Sequence, residues 1–192
     1  MSQVVADRSK SIQAFAPHLE IGRRLSNAGN IQVFEARQID TNRRIMLRIC
    51  PLPQCALGQS AAQVERAVAK LRALHHPGLA TIYNGGMADN AVYLETELVH
   101  GRNLSDFTAG RWLSDRQVFE LAMKVCETLE YLHSQSIAYG DLIPNGMLIA
   151  RNLGSLRASA KLIRGEGMRA FQPDGRDQRA FAAFVTALID RT

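Results

Sequence analysis

The sequence lacks any long apolar run. Its longest apolar stretch, Ala180–Ile189, covers about ten residues and is interrupted, well short of the roughly 20 that a membrane-spanning helix needs. Residues 1–20 alternate polar and apolar side chains and contain no continuous apolar core of a secretory signal peptide. We therefore expect no membrane span and no export by a standard signal peptide.

Cysteines are few, and their arrangement argues against a disulfide or metal framework. Cys50, Cys55 and Cys126 make an odd number without CxxC spacing, and each lies in an apolar segment. Thiols in such surroundings behave as small hydrophobic side chains. We expect them to be reduced, as in a cytoplasmic protein.

Aromatic residues are also scarce, at 6% of the chain, and they do not interleave with the basic residues. The net charge of +5 comes mainly from scattered arginines, which on composition alone favours a solvated basic face. The pI of about 9.4 is the only feature that suggests a nucleic-acid-binding module. We expect no specific nucleic-acid partner.

What the chain does contain is enough apolar material for a core: 46% of its 192 residues are hydrophobic and 21% are charged. The first half reads β, β, α, β, β. Strands are predicted at residues 31–37 and 43–50 around a turn at 40–42, and at 79–86 and 91–99 around a glycine and asparagine turn. A helix is predicted over 60–74, ended by Pro77.

The second half is mainly helical. Ser114 and Gln117 form a capping-box signature at the start of a helix with an apolar stripe that extends to Leu132. A loop at 138–146, two short strands around MLIA and AKLI, and a final helix from about Asp177 to Ile189 follow.

Several strings fit one family in register. LHHPGLATIY is similar to LxHPNIVxLY, AVYLETELVHGRNLSDF to LYLVMEYVxGGSLxDL, and LEYLHSQSIAYGDLIPNGMLI to LxYLHxxGIxHRDLKPxNILL. AKLIRGEG resembles VKLIDFG, and GRDQRAFAAFVTALI resembles the helix that anchors the larger lobe. In this order the motifs resemble a eukaryotic-like (Hanks-type) Ser/Thr protein kinase, as a degenerate, truncated member.

That resemblance implies an α+β, bilobal protein-kinase-like fold. Residues 1–20 would be an N-terminal extension, 21–97 a small β-rich N-lobe with one helix, and 98–192 a truncated, mainly helical C-lobe. The C-lobe would end at the helix after a shortened activation segment.

The resemblance also implies that much of the nucleotide site is altered in the N-lobe. Ser26, Ala28 and Ile31 replace the three glycines of the glycine-rich loop. Arg48 stands at the position of the VAIK lysine. Ala67 stands at the position of its glutamate partner, with Glu65 two residues away on a different face of the helix.

In the catalytic loop Asp141 keeps the position of the base that orients the acceptor hydroxyl. Gly146 replaces the magnesium-binding asparagine, and Arg164 replaces the DFG aspartate, which reverses the charge at that position. The binding of ATP and magnesium is therefore expected to be absent or weak. Asp177 is expected to act structurally, as a helix N-cap that holds the catalytic loop in place.

From this pattern we expect a catalytically inactive pseudokinase, not an enzyme, that acts as a regulatory or scaffolding protein-interaction module in the bacterial cytoplasm. Its protein partner would be an active kinase, a phosphatase or a secretion or signalling component, and no membrane would be involved. The candidate partner surface is basic: Arg164, Arg169, Arg176 and Arg179. The alternative is a divergent ATP-binding phosphotransferase or nucleotidyl-transferase that uses Asp141 with Glu166 or Asp174 as unconventional metal ligands.

Overall fold

The computed structural model describes residues 16–28, 31–52, 55, 57–58, 60–109, 113–140, 142, 147–150, 159–162, 169–170 and 176–189. The chain divides into two compact units, Met1–Leu74 with Thr81–Leu98, and His75–Ala80 with Val99–Thr192. Among the residues described, the first unit holds a sheet and one helix, and the second holds helices and short strands. The α+β class predicted from the sequence is confirmed.

The sheet of the first unit has five strands, all antiparallel to their neighbours, in the order β1-β2-β3-β5-β4. The strands are Leu19–Ala28 (β1), Ile31–Gln38 (β2), Arg43–Pro51 (β3), Ile82–Ala88 (β4) and Ala91–Glu97 (β5). The hairpin predicted from residues 31–37 and 43–50 is confirmed. Strand β1 begins at Leu19, so the segment predicted as an extension over 1–20 already contributes its last two residues to the sheet.

The turn between β4 and β5 lies between the predicted strands 79–86 and 91–99, as expected, but it contains no glycine. Gly85 and Gly86 are inside β4, and the turn is made by Asp89 and Asn90, whose φ angles are 46° and 58°. Asp and Asn tolerate this left-handed region better than other side chains. Gly85 is needed for close packing instead, because a Cβ there would lie 2.7 Å from the Tyr93 carbonyl oxygen.

The two faces of the sheet are covered differently. One face carries an apolar cluster of nine buried residues: Ala16, Leu19, Phe34, Ala36, Ile45, Leu47, Ile49, Ala88 and Ala91. Helix α1, Ala61–Arg72, is capped by Ser60 and buries Val64, Val68 and Leu71. It packs against β4 on the other face, where the side chains of Val68 and Leu94 both approach Gly85.

The second unit contains helices α2 (Leu104–Thr108), α3 (Asp115–Ser134) and α4 (Arg176–Ile189). Strands Gly101–Asn103 (β6), Met147–Ala150 (β8) and Ser159–Leu162 (β9) form one small sheet, and Ile137–Ala138 (β7) pairs with Arg169–Ala170 (β10). The strands predicted around MLIA and AKLI are thus β8 and β9, paired with each other. In the described part of the chain, no helix is long and apolar enough to cross a membrane.

Candidate functional site

Arg48 lies in the middle of β3, where apolar residues on both sides of it favour a buried strand. Its side chain is only 4% exposed, and it stands opposite Val33 on β2 and Leu94 on β5. Directly opposed residues of an antiparallel pair point to the same face of the sheet. Arg48 therefore places a permanent positive charge on the face that carries Leu94 and α1.

Helix α1 supplies no carboxylate from its buried side. Ala67, the position that the resemblance assigns to the glutamate partner of Arg48, is half-buried. Glu65 is exposed and makes no ion pair with any described residue. The expected loss of the glutamate at position 67 thus has no compensation from Glu65.

A buried carboxylate on β5 was not predicted. Glu95 is completely buried, and three side chains bind it: His18 lies 2.8 Å from Oε1, Asn84 donates to Oε1 at 3.1 Å, and Gln38 donates to Oε2 at 2.8 Å. Burial raises the pKa of Tyr93, and the nearby Glu95 charge raises it further. The cluster ties residue 18 to three strands, which is a structural role. A glutamate among the mostly buried residues of β5, two positions before Glu97, was the only signal in the sequence.

Asp177 lies in the first turn of α4 and is 3% exposed. Its Oδ2 accepts a hydrogen bond from the Tyr139 amide at 2.8 Å, and its Oδ1 accepts one from the Gly140 amide at 2.9 Å. His133 Nε2 lies 2.9 Å from Oδ2. One carboxylate therefore fixes two consecutive peptide groups immediately before Asp141.

The prediction that Asp177 is the helix N-cap is wrong in its detail. The helix begins at Arg176, so Asp177 is inside it, and its carboxylate is used by residues 139 and 140. Gly140 has a φ of 81°, a conformation that glycine adopts without strain. Tyr139 is 1% exposed, so the residue in place of the family histidine is part of the core.

Several predicted site residues, Asp141, Gly146 and Arg164, lie outside the described residues, as does the side chain of Arg169. Arg176 and Arg179 are exposed in the first turn of α4. Among the residues that the structure describes, no group of three or more His, Cys, Asp or Glu side chains could hold a metal ion.

Comparison with known proteins assigns the family. A family model described as the protein kinase domain matches residues 20–163, which is most of the chain. The chain belongs to the protein kinase domain family. The matched region includes Arg48, Asp141 and all of the five-stranded sheet except Leu19, and it ends before Asp177.

Curated relatives agree with this assignment. The chain is 25% identical over 159 residues to CBL-interacting protein kinase 12 of Oryza sativa, covering 81% of this chain and 28% of the relative. It is 28% identical over 159 residues to the serine/threonine-protein kinase cds1 of Schizosaccharomyces pombe, with 78% and 34% covered. CBL-interacting serine/threonine-protein kinase 20 of Arabidopsis thaliana is 24% identical over 140 residues, with 73% and 32% covered. The chain thus spans about a third or less of these relatives.

These matches correct one expectation. The sequence led us to predict that the chain is not an enzyme, because several kinase ligands are replaced. The protein kinase domain match and the named kinases point to an enzyme instead. Substitution at individual ligand positions was a weaker guide to the class of protein than the kinase pattern over most of the chain.

Proposed function

We propose that this protein kinase family member is a divergent phosphotransferase, which transfers the γ-phosphate of ATP to a hydroxyl acceptor. The observation that carries the proposal is the anchoring of residues 139 and 140 by the buried carboxylate of Asp177. A buried carboxylate that accepts hydrogen bonds from two consecutive backbone amides, with His133 Nε2 also in contact, is a costly arrangement. Such a cost is justified if the anchored backbone positions the next side chain, that of Asp141, for a reaction.

Phosphoryl transfer makes this anchoring useful because the reaction requires positioning more than covalent chemistry from the protein. In our proposal Asp141 accepts the proton of the acceptor hydroxyl, and the anchored backbone before it limits where its carboxylate can go. An error of about 1 Å in such a group can cost on the order of a hundredfold in rate.

Arg48 is proposed to bind the phosphates of ATP. A guanidinium is cationic, and its planar fork can donate two parallel hydrogen bonds to phosphate oxygens. Burial at 4% exposure strengthens such a contact, because less water competes for the charge. This role differs from that of a compact lysine ammonium, so the geometry of the bound phosphates would differ as well.

The usual magnesium ligands do not fit. Gly146 has no side chain and Arg164 carries the wrong sign of charge, so neither residue can bind a divalent cation as the family asparagine and aspartate do. The proposed roles of Asp141 and Arg48 therefore require no metal at these two positions. The carboxylates of Glu166 and Asp174 are the alternative ligands suggested by the sequence.

Transfer of labelled phosphate from ATP tests the proposal, with a serine- and threonine-rich peptide mixture as acceptor. Replacement of Asp141 by asparagine should reduce the rate at least a hundredfold, in line with the loss of a positioned general base. The matched control is Asp115→Asn, an exposed aspartate at the start of α3, which should keep the wild-type rate. Equal rates for Asp141→Asn and Asp115→Asn would contradict the proposal.

The regulatory or scaffolding role predicted from the sequence stays a prediction. Its support is the basic first turn of α4, where Arg176 and Arg179 are both exposed. Charge reversal at these two residues should weaken capture of an acidic protein partner by the purified chain. Undiminished capture would count against this face.

A further inference from the structure

Helix α3 exposes a stripe of apolar side chains. Phe119 is 65% exposed and Met123 is 45% exposed, and Cys126 is exposed one turn further on. Spacings of four and three residues place the three side chains on one face of the helix. The opposite face is already used by the core: Val118, Leu121, Val125, Leu129 and Leu132 are buried. In the part of the chain that the structure describes, the stripe is therefore left exposed to solvent.

Charges of opposite sign lie at the two ends of this stripe. Arg116 is near the beginning of α3, with 87% of its side chain exposed, and Glu130 is exposed near the end of the helix. Because Arg116, Met123 and Glu130 are spaced by seven residues, they share the face of the stripe. The exposed Glu127 adds a second negative charge beside Glu130.

This pattern is self-complementary only in one orientation. When two α3 helices pack antiparallel about Met123, Arg116 of one copy lies opposite Glu130 of the other, and the same pair recurs at the other end. A parallel arrangement would oppose Arg116 to Arg116 and Glu130 to Glu130. Like charges at both ends would disfavour it.

We propose that the exposed face of α3 binds a second copy of this chain, in an antiparallel arrangement with a twofold axis at Met123. Phe119 and Met123 would supply the apolar centre, and the two Arg116–Glu130 pairs would fix the register. Arg116 already donates to Glu120 at 2.9 Å within its own helix, but its five N–H groups can serve a second carboxylate. A contact of one helix pair is small, so the dimer should be weak and concentration-dependent.

Sedimentation equilibrium of the full chain with a charge swap tests the pairing. Arg116→Glu and Glu130→Arg should each weaken the dimer by about tenfold, since each reversal turns two attractive pairs into repulsive ones. The double variant should return to within about threefold of the wild-type dissociation constant. The double variant still lacks the Arg116–Glu120 pair within the helix. A restored dissociation constant would therefore come from the contact between the two copies.

A cysteine at the proposed axis gives an independent readout. With Cys126→Ser as background, Met123→Cys should form an intermolecular disulfide under mild oxidation, since facing Cα atoms of closely packed helices come within bridging distance. Gln178→Cys, exposed on α4, is the matched control and should form no intermolecular disulfide. The proposal is overturned if the wild-type chain is monomeric at every concentration, if the double swap does not restore the dimer, or if both cysteine variants cross-link equally. The face would then belong to another chain.

Discussion

The carboxylate of Asp177 accepts hydrogen bonds from two backbone amides and contacts His133 while being almost completely buried. Removing it in Asp177→Ala would leave the amides of Tyr139 and Gly140 without their acceptor. We expect a loss of about 3 kcal/mol in the free energy of unfolding, because the buried amide of Tyr139 and the partly buried amide of Gly140 would lose their charged acceptor. Urea unfolding followed by circular dichroism measures the change.

A neighbouring residue supplies the control for Asp177. Gln178→Ala on the exposed side of α4 should change the unfolding free energy by no more than about 0.5 kcal/mol. The loss of unfolding free energy for Asp177→Asn should lie between the losses for Asp177→Ala and Gln178→Ala. The asparagine side chain keeps only one of the two oxygens that accept from the backbone amides of residues 139 and 140. An Asp177→Ala variant as stable as Gln178→Ala would mean that residues 139 and 140 do not depend on this carboxylate.

Glu95 is the second residue on which stability should depend. Glu95→Ala removes the partner of His18, Gln38 and Asn84 and leaves a polar cavity in the sheet. We expect a loss of about 3 kcal/mol, measured by urea unfolding, against Glu65→Ala on the exposed side of α1 as the control. Equal stability of the two variants would show that the cluster contributes nothing measurable.

Residue roles were only partly predictable from the sequence. The importance of Asp177 followed from its place in the kinase pattern, but its bonds to residues 139 and 140 depend on backbone positions that no side-chain pattern encodes. Glu95 could not be anticipated because its three partners are 11, 57 and 77 residues away in the chain. Contacts of such sequence separation are set by the register of the strands.

At the scale of the element, α3 begins at a complete capping box. The backbone amide of Gln117 donates to Ser114 Oγ at 3.4 Å, and the backbone amide of Ser114 donates to Gln117 Oε1 at 2.9 Å. Ser114→Ala should cost about 1 kcal/mol of unfolding free energy. The double variant Ser114→Ala, Gln117→Ala should cost less than the sum of the single losses, because both residues serve the same helix end. Strict additivity in thermal or urea unfolding would argue against the reciprocal pair.

Elements with a strong local signal were predicted well. Helix α3 has both a cap and an apolar stripe, and β2 and β3 have alternation with a clear turn between them, so their bounds were close to those observed. The β4–β5 turn was placed correctly between residues 86 and 91, but the glycine expected in it lies inside β4, where Gly85 is required by the close approach of Tyr93 and Leu94. Strands β6, β7 and β10 have three residues or fewer, too short for any periodicity.

At the scale of the whole molecule, the family follows from the order of motifs along the chain. The N-lobe pattern, the catalytic-loop string and the final helix were recognisable together because the kinase fold needs each of them at a fixed place. The class of protein was not predictable from the altered ligand positions, because the kinase pattern over residues 20–163 points to an enzyme in spite of those replacements.

The most direct measurement is the rate of phosphate transfer from labelled ATP by the purified chain, compared between the wild type, Arg48→Met and Asp141→Asn. Methionine keeps much of the volume of Arg48 but removes the charge, so it should raise the KM for ATP, whereas Asp141→Asn should lower kcat at least a hundredfold. That split between KM and kcat is the predicted result. A wild-type chain that transfers no phosphate above background, or a rate that neither substitution changes, would contradict it.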